Sequence, residues 1–195
     1  MKAFVLSGSP RVGVGKKDAK KLRHNDEIPC VLYGGKDQLF FSVTFNNVRN
    51  LVYSPDVYKV EIQVDGQTRH AVMQEIQTHP VTDKLLHIDF LELVEDKPVV
   101  IEIPVRTIGT SAGARQGGKL ITNVRKLKIR ALPKHLPDFV EVNVEPLEIG
   151  QAIKIGQLSL DGVTFLDAPN VVICAVRMTR AAASAATAAS ETAKK

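Results

Sequence analysis

The stretch Tyr58-Lys59-Val60-Glu61-Ile62-Gln63-Val64-Asp65-Gly66-Gln67 decides the fold class. Val60, Ile62 and Val64 alternate with Lys59, Glu61 and Gln63. A period of two sends the apolar residues to one face of a strand. Asp65-Gly66 is a turn pair, suited to the left-handed backbone that a tight hairpin loop requires. Arg69–Gln77 answers the first strand, so residues 58–77 read as a β-hairpin.

Working outward from the hairpin, strand signals recur on both sides. Residues 4–6 and Cys30-Val31-Leu32-Tyr33 are apolar runs, the second closed by the turn Gly34-Gly35-Lys36-Asp37. Phe41, Val43 and Phe45 alternate with small polar residues, and Asn46–Leu51 is a candidate helix before Ser54-Pro55. Leu86, Ile88 and Phe90 alternate with His87, Asp89 and Leu91. Residues 94–98 mark a boundary, beyond which Gly- and Pro-punctuated strands dominate: VVIEIPV, Leu127/Ile129/Ala131, Phe139–Val144 and Val171–Met178. Gly113–Gly118 reads as a flexible loop between them. The composition agrees: 44% of residues are hydrophobic, only 5% are aromatic and none is Trp. A core resting on Val, Ile and Leu favours strands. The expected class is mainly β (α+β), with a domain over 1–95, a second mostly β domain over 96–180, and an Ala-rich tail over 181–195. That tail has no apolar face with which to build a core.

The formal net charge is +5 and the pI about 9.2. Residues 1–95 carry 12 basic and 12 acidic side chains, whereas 96–180 carry 12 and 8. The clusters matter more than the total. Arg11–Arg23 holds Arg11, Lys16, Lys17, Lys20, Lys21 and Arg23 against the single acid Asp18, a net +5 in thirteen residues. Residues 16–25 are helix-compatible, with Ala19 and Leu22 on one face and Lys16, Lys20 and Arg23 on another. The Gly-rich run before them lets backbone N–H groups approach an anion. This segment is either a phosphate clamp or a solvated basic helix face. A second cluster, Arg115–Lys134, holds seven basic residues and no acid, with Lys126, Lys128 and Arg130 sharing one strand face. It is either a phosphate-contacting strip or a charged face guarding against aggregation.

Other chemistries are poorly supported. GVGKKD lacks the spacing of a Walker phosphate loop. Cys30 and Cys174 have no metal-ligand spacing and read as two free thiols in a reducing compartment. The N-terminus is too short and weakly apolar for a signal peptide, and no apolar run would span a bilayer, so a cytoplasmic chain is expected. His87 and Asp89 are paired, but neither a nucleophile motif nor a repeated ligand spacing accompanies them. No catalytic residue, metal, cofactor or small-molecule substrate is expected. Asp accepting from a base amine and His bonding to a base or ribose is the better reading.

Four ordered motifs then carry a resemblance: Arg11…Gly15-Lys16…Lys20-Lys21-Leu22-Arg23, Ile28-Pro29-Cys30-Val31-Leu32-Tyr33-Gly34-Gly35, Gln74–Pro80, and His87-Ile88-Asp89-Phe90. In order and spacing they resemble the bacterial large-subunit ribosomal protein L twenty-five family. Ile103-Pro104-Val105, Gly117-Gly118, Leu132-Pro133, Leu136-Pro137 and Ile149-Gly150 match its longer type, called general stress protein Ctc. The resemblance covers nearly the whole chain except the tail. It implies an N-terminal β-barrel bound to 5S ribosomal RNA at the loop E region, a second mostly β domain, and residence on cytoplasmic ribosomes, with neighbouring ribosomal proteins as further partners. A free RNA-binding stress factor that joins ribosomes conditionally is the alternative. The RNA contacts it implies are Arg11, Lys16, Lys20, Lys21, Arg23, Tyr33, Gln74, Gln77, His87 and Asp89. Lys20 and Lys21 stand where Arg is usual, and a lysine offers a point charge rather than a bidentate fork.

Overall fold

A computed structural model of the chain describes residues 1–35 and 37–179. The tail over 181–195 lies outside the described residues. The chain divides into two compact units. One comprises Met1–Ile101 with Ala131–Asp138; the other comprises Glu102–Arg130 and, among the described residues, 139–179. Two ion pairs link segment 131–138 to the rest of the first unit. Lys134 Nζ lies 3.3 Å from Glu95, and the Met1 amine 2.9 Å from Asp138.

The first unit is built on seven strands. These are β1 (Lys2–Ser7), β2 (Ser9–Pro10), β3 (Glu27–Tyr33), β4 (Leu39–Thr44), β5 (Tyr58–Val64), β6 (Gln67–Thr78) and β7 (Leu85–Glu92). Their order across the sheet is β1-β5-β6-β7-β3-β4-β2. The β5–β6 hairpin forms as its sequence requires, with Asp65 at φ 50° and Gly66 at φ 73°, both left-handed. The β1–β5 and β3–β7 pairs are parallel and the others antiparallel.

The two edge strands β1 and β2 are separated in sequence by Gly8 alone, so the sheet curls until its edges meet there. The Gly8 N–H donates to Gln63 O on β5 at 3.0 Å. A Cβ at Gly8 would come 2.7 Å from the Phe41 ring on β4, so glycine is what lets the two sides approach. The concave face buries Leu6, Cys30, Leu32, Phe41, Val60, Ile62, Ala71, Ile88 and Phe90. Each such large side chain contributes roughly 1.5–3 kcal/mol by leaving water. Helix α2 (Phe45–Val52) adds Val48 and Leu51 to the same core.

A four-stranded and a three-stranded sheet are built from residues of the second unit, except that residues 99–101 and 131 at two strand ends belong to the first unit. The four-stranded sheet has β8 (Val99–Ile108), β10 (Lys126–Ala131), β11 (Val140–Asn143) and β13 (Val163–Phe165), in the order β11-β8-β10-β13. The three-stranded sheet has β9 (Lys119–Thr122), β12 (Ala152–Lys154) and β14 (Val172–Arg177), in the order β12-β14-β9.

Three sequence expectations need correction. Phe45 does not extend the β4 alternation, because it opens α2. Leu86 does not share the Ile88 and Phe90 face. Gln77 pairs with His87 but Thr78 pairs with Leu85, so Leu86 is the extra residue of a bulge and Leu85 takes the buried place. Gly113–Gly118 is not a flexible loop. It holds a short helix, α3 (Ala112–Arg115), whose N-cap Ser111 is buried and accepts from Ala114 N at 3.2 Å. A Cβ on Gly113 would lie 2.6 Å from Ile149 N, so this turn is packed tightly and needs glycine.

Candidate nucleic-acid interface

The convex face of the first unit's sheet is set by the same registers that build its core. On β3, Ile28, Cys30 and Leu32 are buried, so Val31 and Tyr33 face outward. The parallel register places Val31 beside Asp89 and Tyr33 beside Leu91. On the other side of β7, Gln77 stands opposite His87 and Glu75 opposite Asp89. Three strands thus bring Tyr33, Glu75, Gln77, His87 and Asp89 onto one face, although the sequence separates them by up to 56 positions. Gln74 is the extra residue of a second bulge, between Met73 and Glu75, and it is exposed. The bulge reverses the alternation of β6, which is why Gln74 and Gln77, three apart, are both available on the surface.

Two polar groups on this face fix each other's direction. His87 Nδ1 and Asp89 Oδ1 are 2.6 Å apart, and both side chains are roughly three-quarters covered. With the carboxylate accepting, Nδ1 carries the proton, and Nε2 is the ring atom left for a partner. Burial pushes the Tyr33 phenol above its ordinary value, and the charges of Asp89 and Glu75 push it the same way. Tyr33 is therefore a neutral hydroxyl at ordinary pH, able to donate to a phosphate or base and to accept. Glu75 is the residue that sequence reasoning passed over. Its signal was its flanks, Gln74 and Gln77, but only the register puts it opposite Asp89.

Tyr33 is aimed by the turn after it. Gly34 sits at φ 96°, and a Cβ there would lie 2.6 Å from Leu91 Cδ1. A Cβ on Gly35 would collide with the Glu92 carboxylate. The left-handed backbone at Gly34 is what requires glycine where β3 leaves the sheet.

Beside this face runs helix α1 (Lys16–His24), which packs on β3. Ala19 and Leu22 are its half-buried residues, as their spacing predicts, and Lys16, Lys17, Lys20 and Lys21 are exposed. Gly15 is its N-cap, Asp18 lies in the first turn, and Lys21, Arg23 and His24 lie in the last. Asp18 and the basic last turn suit the helix dipole, whereas Lys16 and Lys17 in the first turn oppose it. Arg23 does more than present charge: its Nε donates to Leu86 O at 3.0 Å, strapping the end of α1 to the bulge next to His87. Arg11 is half-buried, and its Nη2 donates to Gly13 O at 3.1 Å within its own loop. It also opposes the rise that burial imposes on the Cys30 thiol.

On β10 in the second unit, Lys126, Lys128 and Arg130 are exposed and alternate with buried Leu127, Ile129 and Ala131. They share one face, as the period of two requires. Cys30 and Cys174 are both buried, and burial raises both thiols. Among the described residues no three His, Cys, Asp or Glu side chains are grouped to hold a metal ion. No helix among them is long and apolar enough to cross a membrane.

Residues 6–90 match the Ribosomal L25p family, and residues 98–180 match the C-terminal domain of ribosomal protein TL5. The chain is 47% identical over 188 residues to the large ribosomal subunit protein bL25 of Porphyromonas gingivalis, covering 95% of this chain and 98% of that protein. The chain belongs to the ribosomal L25p family. Its likeness to bL25 of Phocaeicola vulgatus is 44% over 193 residues, with 95% and 98% covered. With bL25 of Bacteroides thetaiotaomicron it is 44% over 194 residues, with 97% and 99% covered. The family is one of ribosomal structural proteins rather than enzymes. The His87–Asp89 pair is thus not a general-base dyad, and the mainly β, two-sheet-region architecture accords with the two matched family segments.

Proposed function

We propose that this chain is a component of the large ribosomal subunit that binds 5S ribosomal RNA, at its loop E region, through α1 and the convex face of β3, β6 and β7. The reading is carried by one observation: a neutral Tyr33, a locked His87–Asp89 pair and Gln77 share a face, with four exposed lysines on the adjacent helix. That is a surface with directed donors and acceptors beside a source of positive charge.

The two parts have different work. Lys16, Lys17, Lys20 and Lys21 neutralise phosphates, which supplies affinity that falls with salt and carries no sequence information. His87, Asp89, Gln77, Gln74 and Tyr33 meet base edges and riboses. An internal loop of non-Watson–Crick pairs offers these in a wide, shallow groove. Arg23 and Arg11 fix the geometry, one strapping α1 to β7 and the other folding the loop ahead of it. Lys126, Lys128 and Arg130 serve as an auxiliary phosphate strip in the second unit.

Filter binding of the full chain to 5S RNA and to an unrelated RNA duplex, at two salt concentrations, tests this reading. The expected result is a clear preference for 5S RNA at both, with affinity falling as salt rises. Equal affinity for the two RNAs, or none of the salt dependence, would overturn it.

A further inference from the structure

The three-stranded sheet of the second unit places two cations directly opposite one another. In the antiparallel β9–β14 pair, Lys119 is the register partner of Arg177, and both are exposed. Opposed residues in such a pair have Cβ atoms about 4.5–5.5 Å apart, and like charges there are destabilising. Neither side chain has an ion-pair partner among the described residues.

The rest of the sheet offers no relief. β9 reads Lys-Leu-Ile-Thr, β12 Ala-Ile-Lys and β14 Val-Ile-Cys-Ala-Val-Arg, with no Asp or Glu in any of them. Ile121 and Ala175, the next opposed pair on the same face, are half-buried and make a flat floor beside the two charges. Arg115 is exposed at the last turn of α3, four residues ahead of Lys119, and Gly118 N donating to Gly113 O at 2.8 Å holds that approach. Guarding an open strand edge explains a lysine on β9, which is an edge. It does not call for a second cation at Arg177, which lies past the end of the β12 pairing and directly opposite that lysine.

We propose that Lys119 and Arg177 form a phosphate-binding site for the backbone of large-subunit ribosomal RNA. A single phosphate placed between the two side chains accepts from both and removes the repulsion that the sheet otherwise tolerates. RNA suits the site better than an acidic protein. The cations have no directional acceptor among them on this face, so they select for charge rather than for side-chain shape. The chain's family is ribosomal, and the basic excess of the sequence lies in this half, 12 basic against 8 acidic over residues 96–180. The site lies in the second unit, whereas the surface proposed above for 5S RNA lies in the first, and its two principal members are 58 residues apart in sequence.

Lys119→Glu distinguishes the proposal from a structural role, because it turns a repulsive pair into an attractive one. The full chain carrying K119E is expected to melt at the same or a higher temperature than the unaltered chain. Its filter binding to deproteinised large-subunit RNA lacking 5S RNA is expected to weaken at least tenfold at about 0.1 M salt. The slope of log affinity against log salt should become shallower by about one to two. R177E should behave likewise, and the swap K119R with R177K should retain binding. Unchanged affinity and slope in both single variants would overturn the proposal. So would unchanged binding to RNA accompanied by weaker association with intact large subunits, since that outcome assigns the site to a protein neighbour. Binding of K119E to 5S RNA is expected to be preserved, which separates this test from that of the first unit.

Discussion

On β7 of the first unit, His87 and Asp89 are locked together at 2.6 Å and ringed by Tyr33, Glu75 and Gln77 from the two neighbouring strands. On β10, Lys126, Lys128 and Arg130 alternate with a buried row in the same manner, and Asp167 accepts from the Lys128 backbone N–H at 2.8 Å beside them. Both strands set an open row against a buried one. What differs is the kind of side chain on the open face. Paired donors and acceptors discriminate between bases, each good pair by roughly 1–3 kcal/mol, whereas a row of cations sees only phosphates. A net-neutral domain can therefore be the selective one, and the more basic domain the indifferent one.

The largest expected effect comes from removing charge where it lies beside the readout face. Replacing Lys16, Lys17, Lys20 and Lys21 together by Ala should weaken binding to 5S RNA and to unrelated RNA alike, by roughly a hundredfold near physiological salt. The salt slope should flatten by about three to four. A loss confined to 5S RNA would show that α1 reads bases.

A smaller effect is expected from the other surface. Changing Lys126, Lys128 and Arg130 to Ala should lower affinity for 5S RNA by less than about threefold, without altering its preference over unrelated RNA. A change in preference, measured by competition, would break the division of labour between the two units. The smallest effect concerns geometry. Arg23→Lys keeps the charge but loses the planar Nε–H that donates to Leu86 O, and so should cost about 1 kcal/mol. A thermal melt should fall by about 2–4 °C for a chain of this size. An unchanged melting temperature would mean that the strap contributes nothing.

Much of this was readable from local pattern. The β5–β6 hairpin followed from strict alternation ending in Asp65-Gly66, and α1 from the spacing of Ala19 and Leu22. The open face of β10 followed from Lys126, Lys128 and Arg130. The residues of the convex face proposed to read RNA could be named through family resemblance, but not their arrangement. The bulges at Gln74 and Leu86 each insert one residue and invert a strand's period, and neither residue type announces a bulge. Glu75 and the Arg23 strap depend on partners that are respectively 14 and 63 positions away. The short strands β9, β12 and β13 have three or four residues each, too few for periodicity to show. The opposition of Lys119 and Arg177 is likewise a property of register alone.

The central claim is that charge on α1 supplies affinity while the His87–Asp89 face supplies choice. Salt-series filter binding of the full chain and two variants, against 5S RNA and an unrelated duplex, tests it most directly. Lys16→Ala should lower both affinities in parallel and flatten both slopes by about one. Asp89→Asn removes the charge that holds the His87 ring, so it should leave the slopes alone and reduce the preference for 5S RNA at least tenfold. If Asp89→Asn instead lowers both affinities equally and leaves the preference intact, the claim is contradicted.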